Sequence, residues 1–188
     1  MILINKPWIG EDEKREVINV LDDNSLTSAA KDGGKRVREL ESLLQDYLNV
    51  KNVVSINSGT SALLAALIAA DVKIGDEVLL PSFTFVATAN SILAAGAKPV
   101  FVDVNKDDYT IDVSDLKAKT TKKTRAIVPV HLYGQPADMT AITSIAKAHG
   151  LRVVEDAAQA HGAEVGGKRC GSLSDLAKQA EREAARSS

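Results

Sequence analysis

The sequence predicts a three-layer α/β/α fold around a mostly parallel sheet. Two observations predict it. Short, continuously apolar runs of strand length, of the kind buried on both faces, are separated by stretches with helical periodicity. No repeat or low-complexity linker interrupts that alternation over 188 residues, a length that suits a single core.

Taken in order, Glu11 to Asp22 carries Val17, Ile18, Val20 and Leu21 and reads as a short helix. Asn24 to Gly34 is polar and ends in Gly33-Gly34, a loop. Val37, Leu40, Leu43, Leu44 and Tyr47 recur every three or four residues, the stripe of an amphipathic helix. Asn52 to Asn57 holds Val53, Val54 and Ile56 and reads as a strand. An Ala/Leu-rich helix is expected from Ser61 to Ala70, a strand from Glu77 to Leu80 and a helix from Phe85 to Ala95. Further strands are expected at Pro99 to Val104, Ala126 to Val130 and Leu151 to Glu155, with a helix from Met139 to His149. Right-handed crossovers then bring the carboxyl ends of the strands to one edge, where open α/β sheets bind ligands. The expected division is an N-terminal helix and loop segment (1–34), a main α/β domain (35–176) and a charged tail (177–188).

Composition narrows the function classes. A formal net charge of −2 and a pI near 5.9 argue against a nucleic-acid surface. No apolar stretch reaches the length of a membrane span, and the N-terminus turns polar too soon for a signal peptide. A single cysteine excludes an internal disulfide framework and suits a reducing compartment, so a cytoplasmic location is expected. All seven aromatic residues lie at or before Tyr133, and the segment from Lys178 to Ser188 has no apolar side chain larger than alanine.

Four clusters fall at predicted strand ends. Asn57-Ser58-Gly59-Thr60-Ser61 joins a strand to a helix. Glycine allows a tight turn and close approach, hydroxyls donate, and the helix start offers free N–H groups, so the cluster suits either a phosphate cradle or an ordinary N-cap. In Pro81-Ser82-Phe83-Thr84-Phe85 the two aromatics suit a planar ligand or, more simply, the core. Asp156, directly after an apolar strand, places a carboxylate at the sheet edge, with Gln159 three residues on. It can hold a proton on a heteroaromatic nitrogen or cap the next segment. His131 is read as structural rather than as an acid–base group, and His161 with Cys170 makes too few ligands for a metal.

The order and wording of NSGTSAL, PSFTFVATAN, PVHLYGQPADM and EDAAQAHGA resemble the DegT/DnrJ/EryC1/StrS family of pyridoxal-phosphate sugar aminotransferases, over about residues 3 to 176. The resemblance implies a fold of the aspartate aminotransferase-like class and pyridoxal 5'-phosphate as cofactor. It implies that Gly59, Thr60 and Ser61 bind the cofactor phosphate, that Phe85 stacks on its ring, that Asp156 pairs with the ring nitrogen and that Gln159 contacts the ring hydroxyl. It also implies a homodimer acting on a nucleotide-linked keto-sugar, with glutamate or glutamine as amino donor. The family's Schiff-base lysine is expected near Ala185, where this sequence has alanine; Lys178, the one lysine of the tail, comes about two helical turns earlier. By the same resemblance, the family's C-terminal small domain is expected to be absent from these 188 residues. The chain alone is therefore expected to be inactive. Alternatives of other classes are a pyridoxamine-dependent sugar dehydratase, which carries a histidine for the lysine, and a non-catalytic module that pairs with a full-length aminotransferase.

Overall fold

The computed structural model describes residues 7–24, 26, 28 and 33–174. Helices α1 (Glu11–Asp22) and α2 (Lys35–Leu48) lead the chain, and neither has a buried residue. They are joined by an Arg36–Glu16 ion pair at 3.3 Å. Then follow α3 (Gly59–Ala69), β1 (Glu77–Pro81), α4 (Val86–Ala94), β2 (Lys98–Val102), α5 (Val113–Lys119), β3 (Thr124–Ile127), α6 (Met139–His149) and β4 (Arg152–Val153). A small antiparallel hairpin, β5 (Glu164–Val165) and β6 (Lys168–Arg169), closes the described region.

The central sheet is wholly parallel, in the order β2-β1-β3-β4. Alternation along the strands divides the core in two. Val78 and Leu80 of β1 face Leu67 of α3 and Ile92 of α4, with Ala126, Val128 and Val154 beside them. Leu79 and Ile127 turn the other way, onto Leu116 of α5 and Met139, Ile142 and Ala146 of α6. The side-chain period of two thus feeds both faces from one continuous apolar run, which is why these strands do not read as alternating. The predicted three layers are present. Among the described residues no helix is long and apolar enough to cross a membrane.

Three features differ from the sequence reading. Residues 52–57 form no strand. Ser55 N–H instead donates to Glu41 Oε1 at 2.7 Å, and Val54 is 77% exposed. β-branched residues favour a pleated, half-buried surface, and among the described residues this run has no ladder partner to supply one. Helix α5 escaped the periodicity because only Leu116 is buried on it. Its signal is the cap: Asp112 Oδ1 accepts from Ser114 N at 2.7 Å and Asp115 N at 3.0 Å. The β5–β6 hairpin turns on Gly166 and Gly167, both at positive φ (57° and 75°), the glycine pair that a two-residue hairpin turn demands.

Candidate cofactor site at the carboxyl edge of the sheet

From β1 the chain runs to α4 on one face of the sheet, and from β3 to α6 on the other. Neighbouring strands whose connections part in opposite directions leave a crevice between their carboxyl ends. A cavity of about 240 Å³ lies at this edge. Its wall includes Thr84 and Phe85 after β1, Val130 and Leu132 after β3, Asp156 and Gln159 after β4, and Gly59 and Thr60 at the start of α3. Five of the six candidate binding residues therefore meet at one cavity although up to 100 positions separate them (159 − 59).

Each wall offers a different chemistry. At the start of α3, Ser58 Oγ caps the helix by accepting from Ser61 N at 3.2 Å. Ala62 N is taken by Ser58 O, but no acceptor among the described residues meets the N–H of Gly59 or Thr60. Two unpaired donors at the positive end of an 11-residue helix favour an anion. Gly59 does not use the positive φ open to glycine, and an added β-carbon would meet nothing within 4 Å. The protein's own packing does not require glycine here, and the open space gives a ligand access to the backbone. Ser61, the sixth candidate, is absent from the cavity wall; its hydroxyl accepts from Ser58 Oγ at 3.0 Å. The phosphate-cradle and N-cap readings of this cluster are thus compatible.

Phe85 is the N-cap residue of α4 and is 70% exposed, with Phe83 at 45%. Neither belongs to the core, contrary to the simpler expectation, because the strand ends at Pro81 and both rings lie beyond the sheet. Phe83 instead packs edge-on against Tyr109 and Tyr133, with ring centroids 6.2 and 6.4 Å away. Asp156 is held from two sides, Oδ2 accepting from Thr88 Oγ1 at 2.8 Å and Oδ1 from Ala158 N at 3.3 Å. It therefore performs the local capping foreseen for it and still lines the cavity. Gln159 Oε1 accepts from Tyr133 N at 2.9 Å, which leaves the amide NH2 as its remaining donor. Tyr133 adopts a left-handed backbone (φ 54°), unusual for an aromatic residue, and so presents its N–H to Gln159.

The preceding carboxylate behaves differently. Glu155 is 2% exposed at its side chain and meets the fully buried His131 at 3.1 Å. Ala137 N donates to His131 Nδ1 at 3.1 Å, so the imidazole proton sits on Nε2 and is donated to Glu155. Glu155 also accepts from Gly171 N at 2.8 Å and Ser174 N at 2.5 Å. Burial alone would push this carboxyl up, but the imidazole and the two backbone donors outweigh it and hold the group below its ordinary value. His131 is thus structural, as expected. Burial, followed by the neighbouring Glu155 charge, pushes the Cys170 thiol up, which disfavours its reactive form.

Thr84 and Thr88 were missed as site residues. Their only sequence signal is their place in the segment after β1, since threonine at a helix start is ordinarily a capping residue. Ala185 and Lys178, which bear on the expected lysine, lie outside the described residues.

Comparison with known proteins places this geometry. A relative from Geobacillus stearothermophilus, named pleiotropic regulatory protein, is 48% identical over 167 residues, which cover 89% of this chain and 45% of that protein. GDP-perosamine synthase of Caulobacter vibrioides is 42% identical over 176 residues, covering 94% of this chain and 46% of the relative. Among solved structures, NtdA from Bacillus subtilis with bound cofactor PMP superimposes with a TM-score of 0.75 at 37% identity, covering 82% of this chain and 35% of that one. The chain thus spans less than half the length of these relatives. The model of the DegT/DnrJ/EryC1/StrS aminotransferase family matches residues 7–179, and the chain belongs to that family.

Proposed function

We propose that this chain carries the cofactor-binding part of a pyridoxal-phosphate-dependent aminotransferase that moves an amino group from glutamate or glutamine to the carbonyl of a nucleotide-linked keto-sugar. One observation carries the reading: an anion-seeking helix start, an exposed aromatic face, a carboxylate and a donating amide share one small cavity. A phosphorylated hydroxypyridine has the complementary parts, namely an anion, a π face, a protonated ring nitrogen and a ring oxygen. The donor set fits that group.

In this assignment the Gly59 and Thr60 N–H groups, with the adjacent Ser61, hold the phosphate, and Phe85 covers the ring. Asp156 keeps a proton on the ring nitrogen, and the Gln159 NH2 donates to the ring oxygen. When bound, the cofactor supplies an electron sink for cleavage at the amino-acid α-carbon. The protein supplies orientation and the charge that sustains the ring proton. The names of the relatives support the substrate class: GDP-perosamine synthase is a nucleotide-sugar enzyme by name, and the NtdA structure binds PMP.

The proposed division keeps residues 1–34 as an N-terminal segment, 35–176 as a partial cofactor domain and 177–188 as a charged tail. The exposed apolar residues Val17, Ile18 and Leu21 of α1, with Leu40 and Leu43 of α2, support a homodimer or cover by further chain. A cytoplasmic location agrees with the single, buried cysteine.

Titration with pyridoxal phosphate, followed by absorbance, borohydride reduction and peptide mass mapping, tests the reading. Saturable binding without a reducible adduct on one lysine, and negligible amino transfer, is the expected result, given alanine at position 185. Failure of saturable binding overturns the cofactor assignment. Normal turnover by the 188-residue chain overturns the expectation that it is inactive alone.

A further inference from the structure

Thr88 is 1% exposed on α4, one turn behind the cavity wall. A helical threonine ordinarily returns its hydroxyl to a carbonyl of the preceding turn. Thr88 instead sends it across the fold, 68 positions along the chain, to Asp156 Oδ2 at 2.8 Å. Thr84 Oγ1, on the cavity wall, lies 3.0 Å from Thr88 Oγ1. A hydroxyl has one proton, and an ionised carboxylate only accepts. With the Thr88 proton committed to Asp156, the proton in the second contact must come from Thr84. The order is therefore Thr84 to Thr88 to Asp156, and the lone pairs of Thr84 are what remains for the cavity.

We propose that the Thr84–Thr88 hydroxyl relay is a positioning device that fixes the Asp156 carboxylate and makes this wall acceptor-only, so that the cavity selects a ring bearing N–H over the same ring bearing C–H. The inference deepens the cofactor assignment and rests on it. Thr88 does not line the cavity and acts through Asp156. The relay also couples α4 to the end of β4, so the carboxylate keeps its orientation through a contact that a local cap alone does not supply.

Calorimetric titration of the 188-residue chain with two phosphate esters tests this. One is 4-deoxypyridoxine 5'-phosphate, which has no aldehyde to react with lysines. The other is its carbocyclic counterpart, with C–H in place of the ring nitrogen. The wild type is expected to prefer the pyridine. Thr88→Val, close to threonine in shape, is expected to cut that preference by about tenfold, the usual scale for a hydrogen bond to a charged group. Thr88→Ser should restore it, and Thr84→Val, which leaves the Thr88–Asp156 contact in place, should cut it by less than Thr88→Val does. If Thr88→Val weakens both ligands equally, or keeps the preference, the relay is merely structural and the proposal falls while the cofactor assignment stands. If Thr88→Val does not fold, loss of the preference in Thr88→Ser, which keeps the hydroxyl bonded to Asp156, overturns the proposal, and its retention there supports it. A wild type that binds neither ester overturns the cofactor assignment, and the relay's role with it.

Discussion

Glu155 and Asp156 are consecutive carboxylates at the end of one strand, and the molecule uses them in opposite ways. Glu155 turns inward and is closed off: an imidazole N–H and two backbone N–H groups converge on it, tying the strand end to residues 171–174. Asp156 lines the cavity, held by one hydroxyl and one longer backbone contact. A buried charge is tolerated when converging donors offset its lost hydration, whereas a carboxylate that serves a ligand needs acceptor capacity left over. Val153 and Val154 point to the two different core clusters, and the Val130–Asp156 bridge carries this extended course past β4, so consecutive carboxylates there meet different surroundings.

The sharpest way to break this comparison is Glu155→Ala, which strands the His131 Nε2–H and the N–H groups of Gly171 and Ser174. We expect a loss of about 3–5 kcal/mol of unfolding free energy in urea, the cost of breaking a buried charged network from one side. A loss below about 1 kcal/mol would mean that water reaches the group and that its hydrogen bonds are not structural. Asp156→Asn should do the reverse: stability within about 1 kcal/mol of wild type, because an amide oxygen still accepts from Thr88, but affinity for the pyridine ester about tenfold lower or worse. Calorimetry beside a melting curve separates the two effects.

Acid sharpens the contrast further. The folded Glu155 carboxyl lies below its ordinary value of 4.5, so its contribution to stability is complete above 4.5 and lost as pH falls through the folded value. Urea midpoints measured from pH 7 to pH 3 should therefore show the gap between wild type and Glu155→Gln narrowing below pH 4.5. A constant gap would assign the stabilisation to shape rather than to charge. The smallest effect expected is that of Ser58→Ala, which removes the cap of α3 at about 1 kcal/mol and leaves Ser61 N as a third unpaired donor beside Gly59 and Thr60. Chemical denaturation resolves a change of that size.

The parallel sheet and most of its helices were readable because strand and helix periods are local properties. Helix α1 falls on the expected residues, Glu11–Asp22, and α6 on Met139–His149. The run at 52–57 misled because a strand exists only through its partner, and propensity says nothing about whether one is there. Phe83 and Phe85 misled for a related reason: an aromatic side chain reads as core until the end of its strand is located. For Gly59, Thr60, Phe85, Asp156 and Gln159, their places at strand ends and helix starts were visible in the sequence, while their meeting at one cavity was not.

The sequence by itself determined the layered α/β architecture, the edge at which a ligand belongs and the chemical type of most groups placed there. These follow from side-chain periodicity and from the handedness of crossovers, both encoded within a few tens of residues. Only the tertiary structure decided which carboxylate is closed and which lines the cavity, that His131 carries its proton on Nε2, and that Thr88 reaches Asp156 across 68 positions. Those outcomes depend on donor and acceptor geometry between distant segments, and a hydrogen bond at 2.8 Å has no signature until the chain has brought its two ends together.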